Sequence, residues 1–149
     1  MAGGASAALA GLIFVAVSLN HEHVLRHTVL PALAAQTLSI LIGLVLLCVI
    51  GLTPGQSRVL LGSEILVVGI ALTSAVLISV FRSHSAEQKL RWHLSRVSLG
   101  AVATIPAVIA GASLVVEAGG GLYWLTLEIV AGLVVATYYA WILLIEIRR

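Results

Sequence analysis

Five long apolar segments dominate the chain and restrict what it can fold into. They cover residues 5–19, 31–52, 59–81, 97–116 and 122–146. A helix of about 20 apolar residues spans the roughly 30 Å hydrocarbon core of a bilayer, and most of the segments are near or above that length. We therefore expect an all-α polytopic bundle of five transmembrane helices. It should form a single transmembrane domain over residues 1–149, with the lipid bilayer as its surroundings.

The positive charges predict how these helices are oriented. Seven of the eight Lys and Arg residues fall on one side of a five-span chain, and only Arg58 falls on the other. By the positive-inside rule the richer side is cytoplasmic, so the N-terminus is predicted outside and the C-terminus in the cytoplasm. These cations lie at helix ends rather than in a patch for phosphates, so no nucleic-acid partner is expected. The seven are Arg26, Arg82, Lys89, Arg91, Arg96, Arg148 and Arg149.

The first and fourth segments carry signals about where their helices begin. No basic stretch precedes the first segment, so we expect no cleaved signal peptide. Because the segment is short, we expect either that it lies deep in the bundle or that the natural chain begins further upstream. In the third connection Ser85 and Gln88 fit a capping box. The fourth helix is therefore predicted to start near Ala86 and to enter the membrane as one continuous rod.

Small residues recur every four positions in three of the segments. Helices in lipid associate by close backbone approach, which such faces allow. We therefore expect tight helix packing, either within one chain or between the chains of a homo-oligomer. The three stripes are Gly3, Ala7 and Gly11; Ala103, Ala107 and Gly111; and Gly132, Ala136 and Ala140.

Two carboxylates inside the apolar segments are the main candidates for function. Glu64 and Glu128 each lie about one and a half helical turns, or roughly 8–10 Å, from the predicted outer end of a segment, so they can face each other. Glu128 also extends the Gly132 stripe by one step and should point into the bundle. Charges at such depth pair, protonate or line water. With Gln36, the two residues are candidates for an ion pathway, or alternatively for structural hydrogen bonds between helices.

A cluster after the first segment is the candidate for metal binding or pH sensing. It contains His21, Glu22, His23 and His27 on the predicted cytoplasmic side. His23 and His27 are four residues apart, which suits two ligands on one helical face. The spacing is not that of a closed structural zinc site and no cysteine joins it, so no bound metal or other cofactor is expected. The chain contains no Asp, which excludes the usual Ser-His-Asp triad, and we expect no enzyme.

Several short strings resemble a family of small bacterial integral membrane proteins that is frequent in actinobacteria. They are the run from Ala8 to Asn20, the string TPGQ at 53–56, GSE at 62–64 and GGLYW at 120–124. Some members of this family are described as modulators of the FtsH protease. The resemblance implies a multi-pass protein of the bacterial cytoplasmic (inner) membrane, with a membrane protease as a possible partner. It implies no catalytic residues.

Two functions follow from these observations. The first is a homo-oligomeric channel or ion pathway with Glu64 and Glu128 as its polar lining. The alternative is a non-catalytic regulatory partner of another membrane protein, such as a membrane protease.

Overall fold

The protein is described by a computed structural model that covers residues 1–20, 22, 24, 29–82 and 90–147. Nearly all of these residues are helical. The predicted cap at Ser85 and the helix start near Ala86 lie outside the described residues. The helices are α1 (Ala2–Leu19), α2 (Leu30–Leu52), α3 (Arg58–Arg82), α4 (Leu90–Val102), α5 (Ile105–Val115) and α6 (Leu122–Ile147).

Within the described ranges, five helical stretches are long and apolar enough to cross a membrane. This confirms the all-α class and the five predicted spans, which are the features of a multi-pass membrane protein. The orientation of the termini stays a prediction. The stretches are Ala2–Leu19, Leu30–Leu52, Arg58–Phe81, Leu94–Val115 and Leu122–Glu146, and the fourth combines most of α4 with α5.

Four helices close into a ring around an apolar core. Helix α3 packs against α2 and α5, and α6 packs against the same two helices. Among the described residues, α3 and α6 do not form a packed pair with each other, because they lie diagonally across the ring. Each of the four helices contributes to one buried cluster, with Leu47, Ile65, Ala107 and Leu125 at its centre. Helix α1 packs along the outside of α2 and contacts α6 less extensively.

The contact between α3 and α5 depends on glycine. A Cβ atom added at Gly62 would lie 2.9 Å from the Val115 nitrogen, and one at Gly69 would lie 3.0 Å from the Val108 nitrogen. From the opposite side, a Cβ at Gly111 would lie 2.5 Å from the Leu66 nitrogen. The two backbones are therefore in direct contact, as small-residue faces in membrane helices allow.

Two of the three predicted small-residue stripes are buried within the chain. Ala103, Ala107 and Gly111 lie inside the bundle, as do Gly132, Ala136 and Ala140. The stripe on α1 is not buried within the chain, because Ala7 and Gly11 are exposed, and its packing against another chain stays a prediction. Helix α1 instead buries Ser6 and Ile13, which are seven residues apart and lie on a different face.

The fourth span is broken, so the prediction of one continuous rod is wrong. Helix α4 ends at Val102, and α5 begins at Ile105 with Pro106 in its first turn. A proline has no N–H to donate to the carbonyl four residues earlier, and its ring clashes with that carbonyl. For Pro106 that carbonyl belongs to Val102, the last residue of α4. Proline is tolerated in a first helical turn, so a second helix starts there.

The two ends of the bundle are named after an arginine near each. At the first, called the Arg58 end, the turn between α2 and α3 lies near the loop between α5 and α6. The opposite one, called the Arg96 end, contains the start of α2 and the C-terminal part of α6. Between the ends, large apolar side chains such as Val67, Val134 and Trp141 are exposed around the outside. Such a surface suits contact with lipid tails.

Candidate functional site

Glu128 lies inside the ring and caps the helix that begins at the break. Its side chain is 0% exposed. Its Oε2 atom accepts a hydrogen bond of 3.2 Å from the backbone N–H of Ala107, the third residue of α5. The first N–H groups of a helix have no partner within it, and the helix dipole favours negative charge near them. A carboxyl group on α6 therefore stabilises the start of α5.

The residue that normally performs this capping role is turned away. Thr104 occupies the N-cap position of α5 and makes no side-chain bond to it. Its hydroxyl instead donates to the carbonyl oxygen of Gly100, at 3.0 Å, in the last turn of α4. Glu128 supplies the missing acceptor from a neighbouring helix, so the break in the fourth span and the buried carboxyl group form one structural unit.

The second oxygen of Glu128 has no hydrogen-bond partner within the described ranges 1–20, 29–82 and 90–147. An ionised carboxylate offers about four lone-pair positions to donors, and a protonated one carries an O–H that itself needs an acceptor. Among the described residues, only the Ala107 N–H donates to this group. A fully buried carboxyl oxygen without a partner is costly, and such atoms are found where a proton, an ion or water is exchanged.

A second polar cluster lies nearer the Arg96 end and joins three helices. Gln36 on α2, Arg96 on α4 and Tyr139 on α6 are all buried, and Arg96 is 2% exposed. The Arg96 Nη2 atom donates to the Gln36 Oε1 atom at 2.9 Å. The Tyr139 hydroxyl donates to the Arg96 carbonyl oxygen at 3.3 Å and accepts a 3.5 Å contact from Gln36 Nε2.

Sequence reasoning missed the role of Arg96 and Tyr139. The charge pattern places Arg96 among the cations on the cytoplasmic side of the membrane. In the structure it lies within the fourth span and is buried. Removing it leaves the charge asymmetry at six to one. Helical periodicity indicates that Arg96 faces inward, because it lies seven residues before Ala103 and so shares a face with the Ala103 stripe. Tyr139 similarly lies three residues after Ala136.

Polar groups also lie between the two clusters, along the inner face of the fourth span. Between the two clusters, the Thr104 hydroxyl donates to the carbonyl oxygen of Gly100. A Cβ atom at Gly100 would lie 3.1 Å from the Gln36 Nε2 atom. The glycine therefore brings the backbone of α4 close to the Gln36 amide. Polar groups thus recur along this face from Glu128 to Arg96.

Glu64 and Glu128 have separate hydrogen-bond partners, and no hydrogen bond joins the two carboxyl groups among the described residues. Glu64 is half-buried, and its Oε2 atom accepts a hydrogen bond of 2.8 Å from the Gln56 Nε2 atom in the turn before α3. It lies on α3, which is diagonal to α6 across the ring. Equal depth in two spans does not determine which helices are neighbours.

The predicted histidine cluster falls largely outside the described residues. His21, His23 and His27 are not described, and Glu22 is exposed. In the part of the chain that is described, no three His, Cys, Asp or Glu residues are grouped closely enough to hold a metal ion. Metal binding or pH sensing by the histidines stays a prediction.

No protein-family model, curated protein or solved structure matches this chain. The resemblance to the modulator family therefore stays a prediction.

Proposed function

We propose that this protein is a non-enzymatic ion pathway of the bacterial cytoplasmic membrane, and that the ion is the proton. The pathway runs through the interior of one chain, with Glu128 as its exchange site. The observation that carries the proposal is the Glu128 carboxyl group, which is fully buried at a helix break and has one oxygen without a partner among the described residues.

Known membrane transport sites make this arrangement informative. Broken transmembrane helices place helix ends near the middle of the bilayer, where they bind ions or charged substrate groups. Buried carboxyl groups in spans are rare and commonly belong to proton relays. Glu128 combines both features, because it is a buried carboxyl group and it lies at the start of a helix in a broken span. The ring of four helices is tightly packed, which favours a proton over a larger hydrated ion.

The remaining polar residues have places along the same pathway. Glu64 and Gln56 are half-buried near the Arg58 end and would form its entrance there. Gln36 and Tyr139 would continue it toward the Arg96 end, next to the fixed charge of Arg96. The pathway is complete within one chain and does not need a central pore. The homo-oligomer remains part of the proposal, with the exposed Ala7 and Gly11 on α1 as the face available for it.

Proton flux into liposomes tests the proposal. Purified protein is reconstituted with a pH-sensitive dye trapped inside, and a potassium diffusion potential drives protons inward. We expect the wild-type protein to acidify the vesicles and Glu128→Gln to match protein-free vesicles, because glutamine keeps the shape and loses the exchangeable proton. Glu146→Gln, at an exposed position, is the matched control and should behave as the wild type. Replacing external Na⁺ by a large organic cation should leave the rate unchanged.

Two outcomes would contradict the proposal in different ways. Equal flux in the wild type and Glu128→Gln would mean that Glu128 is a structural cap only. A wild-type rate no faster than that of protein-free vesicles, at any imposed gradient, would reject the ion pathway. The regulatory partner of a membrane protease would then be the better hypothesis.

A further inference from the structure

A cleft at the Arg58 end contains one positive and one negative side chain. Its volume is about 360 Å³, and it lies between the start of α3, the end of α5 and the start of α6. Arg58 and Glu117 both line it, together with Ser113 and the loop at 119–121. The residues that line the cleft do not include Gln56, Glu64 or Glu128, so the cleft is separate from the side chains of the proposed proton pathway.

The cleft lies at the depth of lipid headgroups. The spans Arg58–Phe81, Leu94–Val115 and Leu122–Glu146 all have an end in its wall. Tyr123, which also lines it, is 85% exposed. Tyrosine at the end of a span is typical of the interface between hydrocarbon and headgroups. Whatever occupies the cleft in a membrane is therefore in contact with the polar part of the lipid.

The two charged side chains are available to a ligand. Both are exposed, and within the described ranges 1–20, 29–82 and 90–147 no hydrogen bond or ion pair joins either side chain to another residue. Glu117 adopts a left-handed conformation, with φ of 54°, at a helix end where glycine is the usual residue. The Ser113 hydroxyl donates to the Ala110 carbonyl at 3.0 Å, which leaves its oxygen free to accept.

We propose that this cleft binds the headgroup of a phospholipid that carries both a phosphate and a primary ammonium group, as in phosphatidylethanolamine. Arg58 would bind the phosphate, for which a guanidinium offers two parallel donors. Glu117 would accept from the ammonium, which has three N–H donors. A choline headgroup has no N–H to donate, and a glycerol headgroup has no cation, so both should bind more weakly.

Competition between lipids tests this proposal. The protein is released from nanodiscs that contain equal amounts of phosphatidylethanolamine, phosphatidylcholine and phosphatidylglycerol, and retained lipid is identified by native mass spectrometry. We expect the wild type to retain phosphatidylethanolamine over phosphatidylglycerol by about tenfold, as one hydrogen bond to a charged group implies. Glu117→Gln should abolish that preference, because it removes both the attraction to ammonium and the repulsion of an anionic lipid. Glu146→Gln is the control and should retain the wild-type order.

The arginine variants separate phosphate binding from folding. Arg58→Gln should lose all three lipids to a similar degree, and Arg58→Lys should recover part of the retention because it restores the charge. If Arg58→Gln unfolds, the altered selectivity of Glu117→Gln still decides the question. Equal retention of the three lipids by the wild type, or an unchanged order in Glu117→Gln, would overturn the proposal. It holds or fails independently of proton flux.

Discussion

Gly111→Leu should disrupt the packing of α5 against α3 and destabilise the protein more than leucine at an open glycine position. An added Cβ would lie 2.5 Å from the Leu66 nitrogen and 2.7 Å from its Cα. Both are backbone atoms, so no side-chain rotation can relieve the clash. Overpacking a core costs about 1–3 kcal/mol and occasionally more. We expect a loss at or above about 3 kcal/mol, measured by thermal or denaturant unfolding in detergent micelles followed by circular dichroism.

Gly51→Leu is the matched control for this substitution. Gly51 also lies in a membrane-spanning helix, α2, but an added Cβ there would meet nothing within 4 Å. The two variants add the same side chain to a helix, so differences in helix propensity cancel. We expect Gly51→Leu to unfold close to the wild-type temperature. Equal stability of the two variants would show that α3 and α5 do not approach as closely as described.

Gln36→Leu should produce the second large effect, because it removes the oxygen that accepts from the Nη2 atom of a buried guanidinium. The Gln36 Oε1 atom lies 2.9 Å from Arg96 Nη2, and leucine preserves the approximate volume without the oxygen. A hydrogen bond to a charged group contributes roughly 1.5–3 kcal/mol, and a buried charged donor that loses its acceptor bears the full desolvation cost. We expect a loss of about 2–3 kcal/mol in the free energy of unfolding.

Thr37→Val is the matched control for Gln36→Leu. Thr37 is the next residue on α2 and is also fully buried. In the part of the chain that the structure describes, its hydroxyl bonds only to the carbonyl of Leu33 in its own helix, at 2.7 Å, so its loss should affect a single local contact. We expect Thr37→Val to lower the free energy of unfolding by less than Gln36→Leu does. If both cost the same, the bond between Gln36 and Arg96 contributes nothing beyond ordinary burial.

The sequence predicts which residues face the interior better than it predicts which residues contact each other. The five apolar segments follow from length and hydropathy. The burial of Glu128 follows from its place four residues before Gly132, since helical periodicity fixes the shared face. The partner of Glu128 could not be predicted in this way. That partner is a backbone N–H group on another helix, and no side-chain pattern identifies it or reports that α6 lies beside α5.

The predictions that differ from the structure, for the fourth span, Arg96 and α1, have physical causes. The break at Val102 was signalled by Pro106, but a proline in a membrane helix can also kink it without ending it. Arg96 was assigned to the connection because it is charged, although its helical position matches the Ala103 stripe. On α1 the predicted stripe of Gly3, Ala7 and Gly11 is the set of small residues with the most regular spacing. The helix packs instead through Ser6 and Ile13, since the shape of its neighbour α2 decides which face fits.

Infrared difference spectroscopy of the reconstituted protein tests proton exchange at Glu128 most directly. The C=O stretch of a protonated carboxyl group is distinct from that of a carboxylate, so a change in bulk pH reveals each group that exchanges a proton. We expect the wild type to show a carboxylic band that grows as the pH falls. The part of that band contributed by Glu128 should be absent from Glu128→Gln and retained in Glu146→Gln, whereas the exposed glutamates contribute to the band in both variants. A wild-type difference spectrum identical to that of Glu128→Gln across the pH range in which both remain folded would contradict the proposal that Glu128 exchanges protons.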